Sequence, residues 1–191
     1  EQDEVRVKLS FSGVNPSDTK RRVGFGGQKM AYPAIVPHSD GSGVIDQVGT
    51  GVSKNRIGER VWIYCGQWER AHGTAADYIS IRGNHAIPLP DNIELMSGAC
   101  LGIPAVTAHR ALFSDGPIKG LTVLVTGGAG AVGNYAIQLA KWGGAERVIT
   151  TCSSPNKENQ AKAAGADLVI NYKVEDVSAK IMDATDGQGV D

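Results

Sequence analysis

At 191 residues the chain has room for one large domain or two modest ones. Its 19 basic and 20 acidic residues are well mixed and leave a formal net charge of −1, which gives no electrostatic footprint for nucleic acid. No apolar run approaches the ~20 residues that a membrane span needs, and Cys65, Cys100 and Cys152 are too few and too scattered for a disulfide framework, which fits a reducing compartment.

Residues 1 to 92 read as an irregular β-rich unit. Short alternating runs (Val5 to Phe11, Gly43 to Val48, Arg60 to Tyr64, Tyr78 to Ile81) are separated by Gly, Pro, Asn and Asp. Within it, Asn15-Pro16-Ser17-Asp18 is good turn chemistry. Pro88-Leu89-Pro90-Asp91 marks the boundary. Glu94 to Phe113 then reads as mostly helical, interrupted at Gly102-Ile103-Pro104.

The second unit, 93–191, carries the most informative stretch. Val123-Leu124-Val125 is a consecutive apolar run, expected of a parallel strand buried on both faces. Gly128-x-Gly130-x-x-Gly133 follows with the spacing that grips a dinucleotide pyrophosphate. One glycine permits the turn, the next lets phosphate approach the backbone, and the third lets the helix pack close to the strand. Ala131 and Val132 lie in the same cradle, where helix amides and the positive dipole end face the phosphates. Val132, Ala136, Leu139 and Ala140 recur at helical spacing until Gly143-Gly144. Val148-Ile149 reads as a second strand, and Ser154-Pro155 as an N-cap followed by a first helical proline. That helix runs to Gly165. Leu168-Val169-Ile170 is a third strand, and Val177, Ile181 and Ala184 line a third helix closed by Asp186-Gly187. The order βαβαβα implies a doubly wound parallel sheet. The sequence stops at what reads as the next strand and starts abruptly on another, so the expectation is a portion of a longer protein.

This order resembles the medium-chain dehydrogenase/reductase superfamily. The likeness to its zinc-independent quinone oxidoreductases, the branch of zeta-crystallin, rests on Gly13-Val14-Asn15-Pro16-Ser17-Asp18-Thr19, Ser39-Asp40-Gly41-Ser42-Gly43-Val44-Ile45, Gly58-Glu59-Arg60-Val61, the run from Gly102 to Leu112, and Gly165-Ala166-Asp167. The resemblance implies a GroES-like β-rich unit over 1–92, an NADP-binding Rossmann unit over 93–191, a cytoplasmic location and a homo-oligomer. Zinc members of the superfamily hold their metal with two Cys and one His. The matching positions here are Asn15, Ser39 and a third near Ile103, none a good zinc ligand, so no metal is expected.

The cofactor follows from the end of the second strand. About 20 residues after the first glycine an NAD-preferring enzyme places an acid on the ribose hydroxyls. That count reaches Thr150-Thr151-Cys152-Ser153-Ser154, with no acid. In the resembling reductases a small or hydroxylated residue, a Lys and a Tyr hold the 2′-phosphate, which implies Ser153, Lys157 and Tyr172 here, and NADPH. The alternative makes Lys157 a solvated helix residue and Ser153 part of a cap.

Without a Lewis acid the substrate must accept hydride readily by itself, as quinones and α,β-unsaturated carbonyls do. By the resemblance, Asn15 is the polar group at the nicotinamide and substrate, and Thr107 borders the cofactor. Asp18 is carried as a catalytic candidate, with a loop-positioning role weighed above it. Where related quinone reductases have an aromatic residue this chain has Lys20, followed by Arg21 in place of an aliphatic. Lys20 favours an acceptor with negative charge, or it points into solvent. The resulting expectation is an NADPH:quinone reductase. An NADPH-dependent 2-enone or alkenal reductase is the alternative, and a non-catalytic crystallin-like or RNA-binding role is the alternative of another class.

Overall fold

The structure is a computed structural model that describes residues 1–24, 27 and 29–191. The chain divides into two compact units, Glu1–Ile103 and Pro104–Asp191.

In the first unit, strands β1 (Glu4–Gly13), β2 (Asp40–Val48), β3 (Arg60–Ile63), β4 (Tyr78–Arg82) and β5 (Ala86–Pro88) form one antiparallel sheet in the order β4-β1-β2-β3-β5. Alternation explains its core. Val5, Val7, Ile45, Val61, Ile63, Ile79 and Ile81 turn inward and are buried, while Arg6 and Lys8 turn outward. Register shifts at Arg6/Val7 and Leu9/Phe11 bend β1 around this core. Helix α1 (Pro16–Arg22) follows β1, and the single turn α2 (Leu95–Gly98) packs on β1, β2 and β3.

One expectation needs correction here, and one element leaves no mark in the sequence. Asn15-Pro16-Ser17-Asp18 is not a free turn but the start of α1, with Asn15 as N-cap and Pro16 at its first position. Turn and helix N-terminus share the same residue preferences, so local chemistry alone does not separate them. The three-residue β5 is too short to leave a period in the sequence, and it pairs through Val61↔Pro88 to Ile63↔Ala86.

The second unit has the expected order. Helix α3 (Pro104–Phe113) precedes β6 (Thr122–Val125), α4 (Ala131–Trp142), β7 (Arg147–Cys152), α5 (Pro155–Ala163), β8 (Leu168–Asn171) and α6 (Val177–Ala184). The strands are parallel in the order β6-β7-β8. Burial is uneven across them. In the central strand Val148, Ile149, Thr150, Thr151 and Cys152 are all buried, whereas Val123 and Leu124 of β6 are half-buried. An apolar run marks both positions alike; flanking on both sides belongs to β7 alone. Ala136, Ile137 and Ala140 form the inward face of α4 against α3 and the sheet, with Ala108 and Val148 fully buried. The mixed α/β architecture, with a curled antiparallel sheet and a Rossmann-like parallel sheet, agrees with the fold class expected from sequence.

Candidate active site and cofactor cradle

In the first unit the candidate residues collect where β1 hands over to α1. Asn15 and Asp18 are both buried. Asp18 reaches back one helical turn, and its Oδ2 accepts from the Asn15 backbone N–H at 2.7 Å. This contact belongs to a capping box. The Asn15 side chain also reaches β2, its Nδ2 donating to Asp40 Oδ2 at 2.8 Å. Asp40 is 1% exposed, and its other oxygen accepts from the Ile103 N–H at 2.8 Å. Burial pushes the Asp40 carboxyl up to about 6, against the pull of the Asn15 and Ile103 hydrogen bonds. Thr74, fully buried, donates to the Asp40 carbonyl at 2.5 Å, and its hydroxyl meets Ser12 Oγ at 3.0 Å, which in turn meets His38 Nδ1 at 2.9 Å. Sequence reasoning quoted Asp40 without assigning it a role. The available signal was a carboxylate set among the small residues of a strand start.

Beside this network lies a cavity of about 500 Å³, lined by Val14, Asp18, Arg21, Arg22, Ile35 and Gln67 among others. A larger one of about 670 Å³, at Glu1, Asp3, Arg56 and Arg82, contains none of the candidate residues.

In the second unit the glycines divide the work differently from the spacing rule. The left-handed turn residue is Gly127 (φ 69°), one place before the motif. A side chain at Gly128 would run into Thr150 Oγ1 and Ile137, and one at Gly133 into the Gly127 carbonyl at 2.4 Å. Both therefore serve close helix–strand packing. Gly130 is exposed, and a Cβ there would meet only the Gly127 carbonyl, at 3.3 Å. Thr151 fixes the turn from β7, its Oγ1 accepting from Gly127 N at 3.0 Å and its carbonyl from Gly128 N at 3.1 Å. The N-cap of α4 is Gly130 and no side chain caps the helix, so its leading amides stay with the backbone groups that α-helices leave unsatisfied. Ala131 and Val132, both exposed, begin that helix.

At the C-terminal end of β7, Lys157 Nζ donates to Ser153 Oγ at 3.1 Å. Tyr172 follows β8; its side chain is exposed, and its N–H donates to the Cys152 carbonyl at 3.1 Å. The three residues thus lie at the same end of the parallel sheet. Ser154 is the α5 N-cap by position, although its hydroxyl caps nothing. Thr107 is exposed on α3.

The cradle fits a dinucleotide phosphate: open backbone at Gly130, an uncapped helix start, and no carboxylate at Thr151, Cys152 or Ser153. Zinc does not fit. Asn15 turns its amide nitrogen to Asp40, whose oxygens both already accept hydrogen bonds, and neither Ser39 nor Ile103 offers the thiolate or imidazole that zinc takes.

Residues 1–91 match the alcohol dehydrogenase GroES-like domain family, and residues 131–191 match the family described as zinc-binding dehydrogenase. The chain is 35% identical to a quinone oxidoreductase of Rattus norvegicus over 189 residues, covering 98% of this chain and 56% of that protein. It is also 35% identical to a 2-methylene-furan-3-one reductase of Solanum lycopersicum, covering 91% of this chain and 46% of that one. A solved quinone oxidoreductase of Escherichia coli, complexed with NADPH, superposes with a TM-score of 0.83 at 29% identity over 99% of this chain and 56% of its own. The chain spans about half the length of the curated relatives it matches. By sequence, fold and the order of its two units, the chain belongs to the medium-chain dehydrogenase/reductase superfamily, in its quinone oxidoreductase family.

Proposed function

We propose that this chain supplies the substrate unit and the cofactor cradle of an NADPH-dependent, zinc-independent reductase that passes hydride to a quinone. The observation that carries the reading is the β7 end, where the Lys157 ammonium and the Ser153 hydroxyl stand together and the stretch from Thr150 to Lys157 holds no acid. A cation and a hydroxyl favour a 2′-phosphate, where a carboxylate would repel it. NADPH, when bound, supplies the hydride.

The residues of the chain do the rest. The Gly130 backbone and the start of α4 hold the pyrophosphate, while Ser153, Lys157 and Tyr172 hold the 2′-phosphate. Thr107 borders the cofactor. Asn15, fixed by Asp40, orients the acceptor carbonyl, and Asp18 keeps the Asn15 backbone in place. A quinone that takes up hydride and one proton becomes the hydroquinone, so no metal is needed to polarise it. The segments 1–92 and 93–191 are proposed as the substrate and NADP-binding domains, with a cytoplasmic location and a homo-oligomer following from the family. No helix among the described residues is long and apolar enough to cross a membrane.

A 2-enone or alkenal reductase is the second reading, supported by the tomato relative named for a furanone substrate. It uses the same residues and differs only in the acceptor.

Fluorescence titration with NADPH and NADH tests the reading. The expected result is NADPH binding about tenfold tighter or more, with Lys157→Ala removing the difference and leaving NADH unaffected. Equal affinities in the unaltered protein would overturn the NADPH assignment, and no binding of either would overturn the reductase.

A further inference from the structure

We propose that the acceptor reduced at this site is an organic anion, a planar conjugated carbonyl carrying a carboxylate or sulfonate, and that Arg21 selects it. The inference rests on the reductase reading and names the substrate class within it.

Helix α1 sets the geometry. Asp18 and Arg21 are three residues apart, so they share one helix face, and both line the cavity of about 500 Å³. Val14, the residue before Asn15, lines it too. Arg21 and Arg22 also line an adjoining cavity of about 410 Å³, which adds Lys29, Glu69, Arg70 and the exposed Trp68. Across the two cavities four cations face two carboxylates. One of these, Asp18, already accepts from the Asn15 backbone.

Arg21 is held by a neutral partner. Its NH1 donates to Gln67 Oε1 at 2.6 Å, and Gln67 is buried and anchored through Nε2 to the Arg70 carbonyl at 3.3 Å. Among the described residues no carboxylate forms an ion pair with Arg21 or Arg22. The guanidinium fork has five N–H donors. Orienting it with an amide keeps its full charge and leaves most of those donors available to a bidentate oxyanion. Of the remaining walls, Val14, Met30, Ile35 and Pro37 are apolar and suit the body of a flat ring, while Thr19 and His38 add polar edges. The cavity therefore pairs an apolar slot with one oriented cation. A neutral quinone would leave that cation without an anionic partner.

The experiment compares turnover of a naphthoquinone and of its sulfonate by the full chain, in the unaltered protein and in Arg21→Leu and Arg21→Lys. Intrinsic reactivity cancels when the ratio of the two kcat/KM values is compared between the unaltered protein and each variant. Arg21→Leu should lower the sulfonate-to-neutral ratio about tenfold through KM, and Arg21→Lys should restore part of it. Calorimetry with naphthalenesulfonate, which cannot be reduced, should show the same loss in Arg21→Leu. An unchanged ratio with turnover intact overturns the anion assignment and leaves the reductase standing. If neither quinone turns over, the reductase reading fails, and naphthalenesulfonate binding alone decides for or against the anion site. Inorganic sulfate competing as well as naphthalenesulfonate overturns it too, because a bare anion site would then suffice.

Discussion

Asn15 and Asp40, 25 positions apart in sequence, are joined by a 2.8 Å hydrogen bond from Nδ2 to Oδ2, with both side chains buried. The same carboxylate takes the Ile103 N–H on its other oxygen. One buried acceptor thus gathers the start of α1, the start of β2 and the segment that ends the first unit.

Removing that acceptor strands two donors. Asp40→Ala leaves Asn15 Nδ2 and Ile103 N without a partner, and each unsatisfied buried group costs about 1–3 kcal/mol. A loss of about 3 kcal/mol is expected in urea unfolding, with the m-value unchanged. A loss below about 1 kcal/mol would mean that water replaces the carboxylate and that the network does not hold these segments.

The same residue gives a pH dependence of unusual sign. Its folded pKa is raised from 3.8 to about 6, so between those values the folded state binds more protons than the unfolded state. Stability contributed by Asp40 is therefore present below about pH 4 and lost as pH rises to about 6, on the order of 2–3 kcal/mol in all. Asp46, bonded to Arg6, is held below the usual carboxylate range and acts in the opposite sense. The difference between the unaltered protein and Asp40→Asn isolates the effect. That difference should change across pH 4–6; a flat one would show that Asp40 titrates normally.

How legible this was depends on the range of the contact. The glycine turn, the three strands and their helices stand in order along the chain, and local pattern alone places them. Gly127 shows the limit of a motif: it carries the positive φ, yet it falls outside the GxGxxG spacing. The Asp40 network joins residues 25 and 63 positions apart, and no period in a sequence marks such a pair. Arg21 stood out as a departure from the resembling reductases, but its Gln67 partner, 46 residues on, did not.

The three motif glycines should separate fold from cofactor binding. A Cβ at Gly133 meets the Gly127 carbonyl and one at Gly128 meets Thr150, whose hydroxyl already bonds to the Val125 carbonyl at 2.6 Å. Gly133→Ala and Gly128→Ala should each cost about 1–3 kcal/mol of stability. Gly130→Ala has a compatible φ of −76° and a single close contact, the Gly127 carbonyl at 3.3 Å. It should cost less than the other two, about 0.5 kcal/mol, and still weaken NADPH about tenfold if the pyrophosphate binds at Gly130 as proposed. Thermal melts with and without NADPH read both quantities. Unaltered NADPH affinity in Gly130→Ala would place the pyrophosphate elsewhere.

Asp167 tests which of two contacts anchors the start of β8. Its Oδ2 accepts from Val148 N at 2.7 Å while its own N–H donates to the Val148 carbonyl at 2.9 Å. Lys141 Nζ lies 3.0 Å from both carboxylate oxygens, but both partners are 39% exposed. Burial pushes this carboxyl up, and the Val148 and Lys141 bonds outweigh it and hold the group below its usual range. Its contribution is thus present above about pH 4 and lost as pH falls further. An exposed ion pair contributes little, so Lys141→Met should cost about 0.5 kcal/mol or less. Asp167→Ala, which strands the Val148 amide, should cost about 1–2 kcal/mol, and Asp167→Asn should recover most of it by keeping an acceptor. If Lys141→Met proves as damaging as Asp167→Ala in urea titration, the ion pair and not the backbone clamp holds β8 to β7.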